Sequence, residues 1–219
     1  MEILKLKNVS FTYDNDKYVL KDINLSFNTG KTYGIFGKSG AGKSTLLSLM
    51  AGLENCKEGE ILYNNDNIKN INFDNYRSND IGIIFQSYNL LPHLTALENV
   101  VLSMDISKNN YEDKEKRALE FLKRVGLTEE KANRRVLQLS GGEQQRIAIA
   151  RALSYDANII LADEPTGNLD HETEEDILKI LDEIAHKDNK CVIIISHSMK
   201  VKNFVDEVYN LVKGKIDKD

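Results

Sequence analysis

The segment Gly37-Lys38-Ser39-Gly40-Ala41-Gly42-Lys43-Ser44 is the strongest signal of the fold in this sequence. It fits the pattern G-x-x-x-x-G-K-[ST] in full, between a short apolar run, Tyr33–Phe36, and a helical stretch, Lys43–Ala51. Glycines let backbone N–H groups turn inward around phosphates, and the N-terminus of the following helix adds partial positive charge. The segment therefore predicts a phosphate-binding loop between a strand and a helix of an α/β fold.

Each residue of this loop, together with the next residue, Thr45, is expected to contact ATP. Lys43 would reach the β- and γ-phosphates, Ser44 would ligate Mg²⁺, and Thr45 would touch the α-phosphate. The alternative is a glycine-rich turn that fits the pattern by accident. With glycine at about 7% of residues, such a match in a chain of this length is roughly a one-in-a-hundred event. The phosphate-binding interpretation is therefore favoured.

A second pattern, Ile159-Ile160-Leu161-Ala162-Asp163-Glu164, is an apolar run that ends in two acids. At the carboxyl end of a strand beside the phosphate loop, Asp163 can hold Mg²⁺ through water. Glu164, one residue further, can polarise an attacking water as general base. On its own, an acidic pair after a strand is usually a helix cap or a solvated turn. The phosphate loop upstream favours the catalytic interpretation.

Strand and helix signals divide the chain. The apolar runs Ile81–Phe85 and Cys191–Ile195 join Ile159–Ala162 as strands buried on both faces, as in parallel sheets. Two strand-like segments, Leu4–Tyr13 and Tyr18–Phe27, flank the polar turn Asp14-Asn15-Asp16 near the start, and a small hairpin is predicted over Val208–Ile216.

Strand signals are absent between Leu90 and Ala152, where helices are predicted over Tyr111–Val125 and Ser140–Leu153. The sequence thus predicts a helical insertion within the α/β core. A later helix begins with acidic side chains, which the positive end of its dipole favours: Glu172, Glu174 and Glu175.

Composition excludes several classes of protein. The chain has 219 residues and a net charge of −5 without a basic block, so a nucleic-acid partner is not expected. No apolar run approaches the roughly 18–20 residues of a membrane span. The first residues lack the layout of a signal peptide, so a cytoplasmic location is expected. Cys56 and Cys191 form neither a metal-binding spacing nor a disulfide framework.

The segment Ser140-Gly141-Gly142-Glu143 has the spacing of a capping box, so a helix is predicted to begin there. Its two glycines leave the first N–H groups of that helix exposed. The segment could serve only to begin a helix, or it could be a second anion site. In the second case it would bind another anion or a nucleotide held by another chain.

The longer stretch Leu139-Ser140-Gly141-Gly142-Glu143-Gln144-Gln145-Arg146 resembles the signature sequence of ABC transporter ATPases. The resemblance implies a P-loop NTPase fold in one domain, 1–219, with a RecA-like core of mainly parallel sheet. The core and an N-terminal antiparallel β subdomain would comprise 1–86 and 154–219, and the inserted α-helical subdomain about 87–153. It also implies that Ser140, Gly141, Gly142 and Glu143 contact ATP bound to the other chain of a homodimer.

Further positions match the same family one by one. Tyr13 resembles the aromatic residue that stacks on adenine, although without the resemblance it would be a strand aromatic in the core. Gln86 resembles the glutamine that senses Mg²⁺, and His197 the switch histidine that binds the γ-phosphate. Lys43, Gln86, Glu164 and His197 would thus form the catalytic set, with Ser44, Gln86 and Asp163 as metal ligands. The dimer interface would include Asn168-Leu169-Asp170.

The stretch from Ala162 to Asp170 resembles one branch of this family. That branch contains lipoprotein-release, macrolide- and peptide-export and cell-division ATPases. It implies an integral membrane permease, or an FtsX- or MacB-like membrane protein, as partner, with the chain peripheral on the inner face of the membrane. The alternative function is a cell-division or signalling ATPase that moves no substrate. Arg135-Val136-Leu137 departs from the branch, in which many members carry a proline at this place.

Overall fold

The computed structural model describes residues 1–14, 17–107 and 111–218. Asn15 and Asp16 of the predicted turn lie outside these residues. The strands, in chain order, are β1 (Glu2–Phe11), β2 (Leu20–Asn28), β3 (Lys31–Phe36), β4 (Glu58–Tyr63), β5 (Asp66–Asn67), β6 (Ile81–Ile84), β7 (Ile159–Asp163), β8 (Cys191–Ser196), β9 (Glu207–Val212) and β10 (Lys215–Lys218).

The helices lie between and after these strands. Helices α3 to α6 come between β6 and β7, where the sequence predicts an insertion. None of the helices in the described ranges combines the length and the apolar character needed to cross a bilayer. They are α1 (Lys43–Met50), α2 (Phe73–Asn75), α3 (Ala96–Ile106), α4 (Lys114–Arg124), α5 (Glu129–Ala132), α6 (Gly141–Leu153) and α7 (His171–Lys187).

The strands form two sheets. The smaller is antiparallel with the order β2-β1-β4-β5, and the larger has the order β10-β9-β3-β8-β7-β6. In the larger sheet β9, β3, β8, β7 and β6 run parallel, and β10 is an antiparallel edge strand. The predicted class, an α/β fold with a mainly parallel core and an antiparallel N-terminal sheet, is confirmed.

Both faces of the parallel sheet are covered, which explains why its strands are continuous apolar runs. In β8, Cys191, Ile193 and Ile195 face the core shared with α1 and the antiparallel sheet. Val192 and Ile194 face the core shared with the helical insertion and α7. Because side chains alternate along a strand, one run fills two cores.

The sequence missed or displaced some elements. The sequence does not predict the strands β4 and β5, which complete the antiparallel sheet. The strand β4 begins with Glu58, Gly59 and Glu60, residue types that are uncommon in strands, and only its second half is apolar. The predicted helix from Tyr111 begins instead at Lys114, because the Asp113 side chain accepts a hydrogen bond from the Lys116 N–H and caps it there.

Glu207 of β9 links this strand to its two neighbours in the large sheet, β3 and β10. Its carboxylate accepts hydrogen bonds of 2.7 Å from Lys218 Nζ in β10 and from Lys31 Nζ in β3. These two ammonium groups lower the pKa of Glu207 to about 2. The side chain is only 18% exposed, so the pairs are partly shielded from solvent.

We expect Glu207→Gln to lower the free energy of unfolding at pH 7 by roughly 1–3 kcal/mol. Because the folded pKa of Glu207 lies below its ordinary value of 4.5, the carboxylate stabilises the fold above that pH. Its contribution is lost as the pH falls from 4.5 towards 2. Urea unfolding should therefore show a smaller difference between variant and wild type at about pH 4 than at pH 7. Glu60→Gln, at an exposed carboxylate of β4, is the control. An equal difference at both pH values would contradict this assignment.

Candidate active site

The phosphate loop between β3 and α1 is packed so closely that a side chain at either of two of its glycines would displace neighbouring backbone atoms. A Cβ at Gly37 would lie 2.5 Å from the Leu211 carbonyl oxygen of β9. Gly42 has a φ of 105°, and a Cβ there would lie 3.1 Å from the Val19 carbonyl oxygen. The loop is therefore held from two sides, by β9 and by the residue that precedes β2.

The Lys43 side chain crosses the loop that carries it. Its Nζ donates hydrogen bonds to the carbonyl oxygens of Gly37, at 2.8 Å, and of Lys38, at 3.4 Å. The same Nζ lies 4.0 Å from Glu164 Oε1. The ammonium group thus lies in the concave side of the loop, where it can bind an anion.

An open cleft of about 650 Å³ lies over this loop, a size typical of ligand sites. Its walls come from the carboxyl ends of four parallel strands, because β3, β6, β7 and β8 all end at the same edge of the sheet. The lining residues are Val19, Ser39, Gly40, Gly42, Lys43, Ser44, Thr45, Gln86, Asp163, Glu164 and His197.

Glu164 is held at the wall of the cleft by contacts to both of its carboxylate oxygens. Its Oε1 lies 2.9 Å from His197 Nδ1, and its Oε2 accepts hydrogen bonds from Ser196 Oγ and the His197 N–H, both at 3.2 Å. Its backbone has a φ of 46°, a conformation that is strained for a residue with a side chain. The backbone turn and these three contacts fix the carboxylate at the wall of the cleft.

Three oxygen donors line the cleft where a divalent cation is expected: the Ser44 hydroxyl, the Gln86 amide and the Asp163 carboxylate. Burial raises the pKa of Asp163, and the neighbouring Glu164 carboxylate adds to the rise. A cation would offset both effects. Mg²⁺ typically takes one or two protein oxygens and completes its coordination with water and substrate phosphates, so this donor set fits Mg²⁺ with a bound nucleotide.

Tyr13 lies just beyond the end of β1 and is 65% exposed, so its interpretation as a buried core aromatic is wrong. Its hydroxyl lies 3.2 Å from Thr45 Oγ1, and its ring packs edge-to-face on Phe11. The ring is therefore available to stack on a base above the loop. Val19, which the sequence did not single out, lines the same cleft; only the fold, by placing it against Gly42, identifies it.

The segment that begins α6 is a second helix N-terminus. Ser140 Oγ accepts from the Glu143 N–H at 3.3 Å, and Glu143 Oε2 accepts from the Ser140 N–H at 2.8 Å, so the predicted capping box is confirmed. Glu143 Oε1 also pairs with Lys131 Nζ at 2.6 Å, and this contact lowers the pKa of Glu143. The Glu143 carboxylate thus serves to cap the helix and pair with Lys131.

Both glycines of this segment have neighbours that require their small size. A Cβ at Gly142 would lie 2.5 Å from Thr173 Cγ2 of α7, and one at Gly141 would lie 3.0 Å from the Tyr88 hydroxyl. Ser140 is exposed, and neither it nor the two glycines lines the cleft over the phosphate loop. The helix N-terminus at Ser140 and the one at the phosphate loop therefore do not line the same cleft within one chain.

The predicted interface residues lie in the turn between β7 and α7. Asn168 Nδ2 donates to the Gln86 carbonyl oxygen at 3.4 Å. Asp170 is the N-cap of α7 and accepts from the N–H groups of Glu172 and Thr173. Leu169 is half-buried against the helical core. The turn thus connects the Gln86 loop to the start of α7.

Comparison with known proteins agrees with this geometry. A family model described as ABC transporter matches residues 20–167. The chain belongs to the ABC transporter family. The uncharacterized ABC transporter ATP-binding protein YclH of Bacillus subtilis is 44% identical over 98% of the chain and 95% of YclH. The lipoprotein-releasing system ATP-binding protein LolD of Francisella tularensis is 40% identical over 98% of the chain and 96% of LolD.

A solved structure extends the similarity to the whole fold. The dimeric, post-hydrolysis structure of the ATP-binding cassette MJ0796 bound to ADP and Pi has a TM-score of 0.90 and 40% identity. The match covers 99% of this chain and 98% of that one. MJ0796 is a Methanocaldococcus jannaschii protein. The family match and the similarity to this structure together show that our chain is an ATPase.

We expect Lys43→Ala to weaken ATP binding about 10- to 100-fold, because a charged hydrogen bond contributes about 1.5–3 kcal/mol. The fold should remain intact, as shown by an unchanged circular dichroism spectrum and melting temperature. Lys57→Ala is the matched control, because that side chain is exposed and lies outside both the phosphate loop and the cleft. Full ATPase activity in a folded Lys43→Ala protein would refute the assignment of the site.

Proposed function

We propose that this ATPase powers a separate integral membrane permease that exports or extracts a peptide, a lipoprotein or an antimicrobial compound. The chain would act on the cytoplasmic face of the membrane, held there by its permease. Support for this class of cargo comes from the similarity to the lipoprotein-releasing protein LolD, which extends over nearly the full length of both proteins.

We propose that the residues of the cleft have separate roles in ATP hydrolysis. Glu164 accepts the proton of the attacking water, since its carboxylate is fixed at the cleft wall. Lys43 and His197 donate hydrogen bonds to the γ-phosphate as charge develops on it. Ser44, Gln86 and Asp163 would hold Mg²⁺, which would neutralise charge on the phosphates.

The separation of the two helix N-termini within one chain supports a further part of this proposal, that two chains share each ATP. The cleft contains the start of α1 but no residue of Ser140–Glu143. Two chains placed head to tail about a two-fold axis would bring each Ser140 helix N-terminus over the partner's phosphate loop. Each ATP would then bind between two chains, with Asn168-Leu169-Asp170 at the interface, so ATP would hold the dimer together and hydrolysis would loosen it.

We expect Glu164→Gln to accumulate as an ATP-bound dimer, because it keeps the binding groups and removes the general base. Light scattering should show a monomer without nucleotide and a dimer with ATP and magnesium. Adding Ser140→Arg should abolish that dimer, since the larger side chain would occupy the partner's phosphate site. A double variant that still dimerises on ATP would show that the two chains do not share the site.

An exposed apolar surface on α3 supports a membrane partner. Leu102 and Ile106 lie one turn apart on this helix, and Ile106 is 62% exposed. Leu91 is also exposed, and the buried Asn99 of α3 hydrogen-bonds to both its N–H and its carbonyl oxygen. Neighbouring exposed apolar side chains of this kind are typical of protein–protein contacts.

Ile106→Lys should weaken association with the permease about 10-fold or more, as expected for an apolar anchor in an interface. Basal ATPase activity of the isolated chain should not change. Val212→Lys, at an exposed apolar residue of β9, is the matched control. Association can be measured in detergent with the permease that co-purifies with the wild-type chain. Equal affinity of Ile106→Lys and wild type would exclude α3 as the docking surface.

The same complex, reconstituted in liposomes, distinguishes transport from a signalling or cell-division role. Transport predicts that cargo stimulates ATP hydrolysis and that ATP drives its movement. ATP hydrolysis without movement of any peptide, lipoprotein or antimicrobial compound would favour the ATPase that moves no substrate.

A further inference from the structure

Glu174 is a buried carboxylate that has no role in the proposed steps of ATP hydrolysis. It lies in the first turn of α7 and is 7% exposed, whereas Glu172 and Glu175 on the same turn are exposed. Removing a carboxylate from water is costly unless hydrogen bonds and opposite charge replace the solvent. The contacts of Glu174 therefore need a separate explanation from those of its two neighbours.

Two hydroxyl groups from different loops donate to one oxygen of Glu174. Oε1 accepts from Ser198 Oγ at 3.0 Å and from Thr166 Oγ1 at 3.3 Å. Oε2 lies 3.6 Å from Lys200 Nζ and 3.8 Å from His171 Nδ1, and these two nitrogens lie 2.7 Å apart. One carboxylate thus connects the loop after β7, the loop after β8 and the start of α7.

Both of these loops carry a residue of the cleft. Thr166 lies two residues after Glu164, and Ser198 directly follows His197. The Ser198 N–H donates to Ser196 Oγ at 3.0 Å, and Ser196 Oγ donates to Glu164 Oε2 at 3.2 Å. Ser198 therefore links Glu174 to the wall of the cleft, because its hydroxyl bonds to Glu174 and its N–H bonds to Ser196, which in turn bonds to Glu164.

We propose that Glu174 is a positioning residue for hydrolysis, which fixes the exposed His197 relative to Glu164 by holding the loops after β7 and β8 together. The inference rests on the role proposed above for His197 at the γ-phosphate. Glu174 does not line the cleft, and within the described residues its hydrogen bonds and ion pairs go to the loops after β7 and β8 and to its own helix. Its loss should therefore impair turnover and leave ATP affinity unchanged.

Glu174→Ala should lower kcat roughly 10- to 100-fold, the cost of a misplaced catalytic group, with KM changed less than about twofold. Glu174→Gln keeps an oxygen acceptor for both hydroxyls and should retain kcat within about threefold of wild type. Glu175→Ala is the matched control, one residue away and exposed. Ser198→Ala removes the same contact from the other side and should lower kcat even if Glu174→Ala does not fold.

A double-mutant cycle with His197→Ala tests whether Glu174 acts through His197. The expected result is that Glu174→Ala, or Ser198→Ala in its place, has no further effect on kcat once His197 is removed. A kcat that falls equally in both backgrounds, or does not fall at all, would overturn the inference. A His197→Ala protein with wild-type kcat would instead refute the proposed role of His197, so the two failures are distinguishable.

Discussion

The parallel pairing of β3, β8 and β7 determines where the functional groups of the cleft lie. Phe36 pairs with Ser196, and Ile195 pairs with Asp163, so three strands end side by side. Each strand end then delivers its own group to one cleft: the phosphate loop after β3, His197 after β8, and Asp163 with Glu164 at β7. Because these strands are buried on both faces, the sheet edge formed by their carboxyl ends is rigid. The residues of the cleft are therefore held in fixed positions.

The parts of the site predicted from sequence are those encoded by local chemistry. The glycine pattern of residues 37–44, the acids after Ile159–Ala162 and the capping box at Ser140 each depend on residues close in sequence. The structure places the loop, the acids and His197 around one cleft and leaves Ser140 outside it. The role of each residue in ATP hydrolysis stays a prediction.

The parts that sequence reasoning missed depend on contacts between distant residues. Glu174 was assigned only to the dipole of its helix, because nothing local shows that Ser198 lies within 3.0 Å of it. Val19 lines the cleft only because the phosphate loop packs against the start of β2. Tyr13 belongs to a strand-like run, yet β1 ends at Phe11 and leaves it exposed. In each case tertiary packing overrides the local pattern.

We propose that each ATP binds between the phosphate loop of one chain and the Ser140 helix N-terminus of the other. Site-directed cross-linking can detect this arrangement, because the native Cys56 and Cys191 are buried and should not react. Ser39→Cys and Ser140→Cys would be placed on separate Glu164→Gln chains, mixed, and treated with a short bifunctional maleimide. We expect a cross-linked dimer of the two variants with ATP and magnesium, little without nucleotide, and none between two Ser39→Cys chains. An ATP-bound dimer that forms without this cross-link would show that ATP does not bind between these two segments.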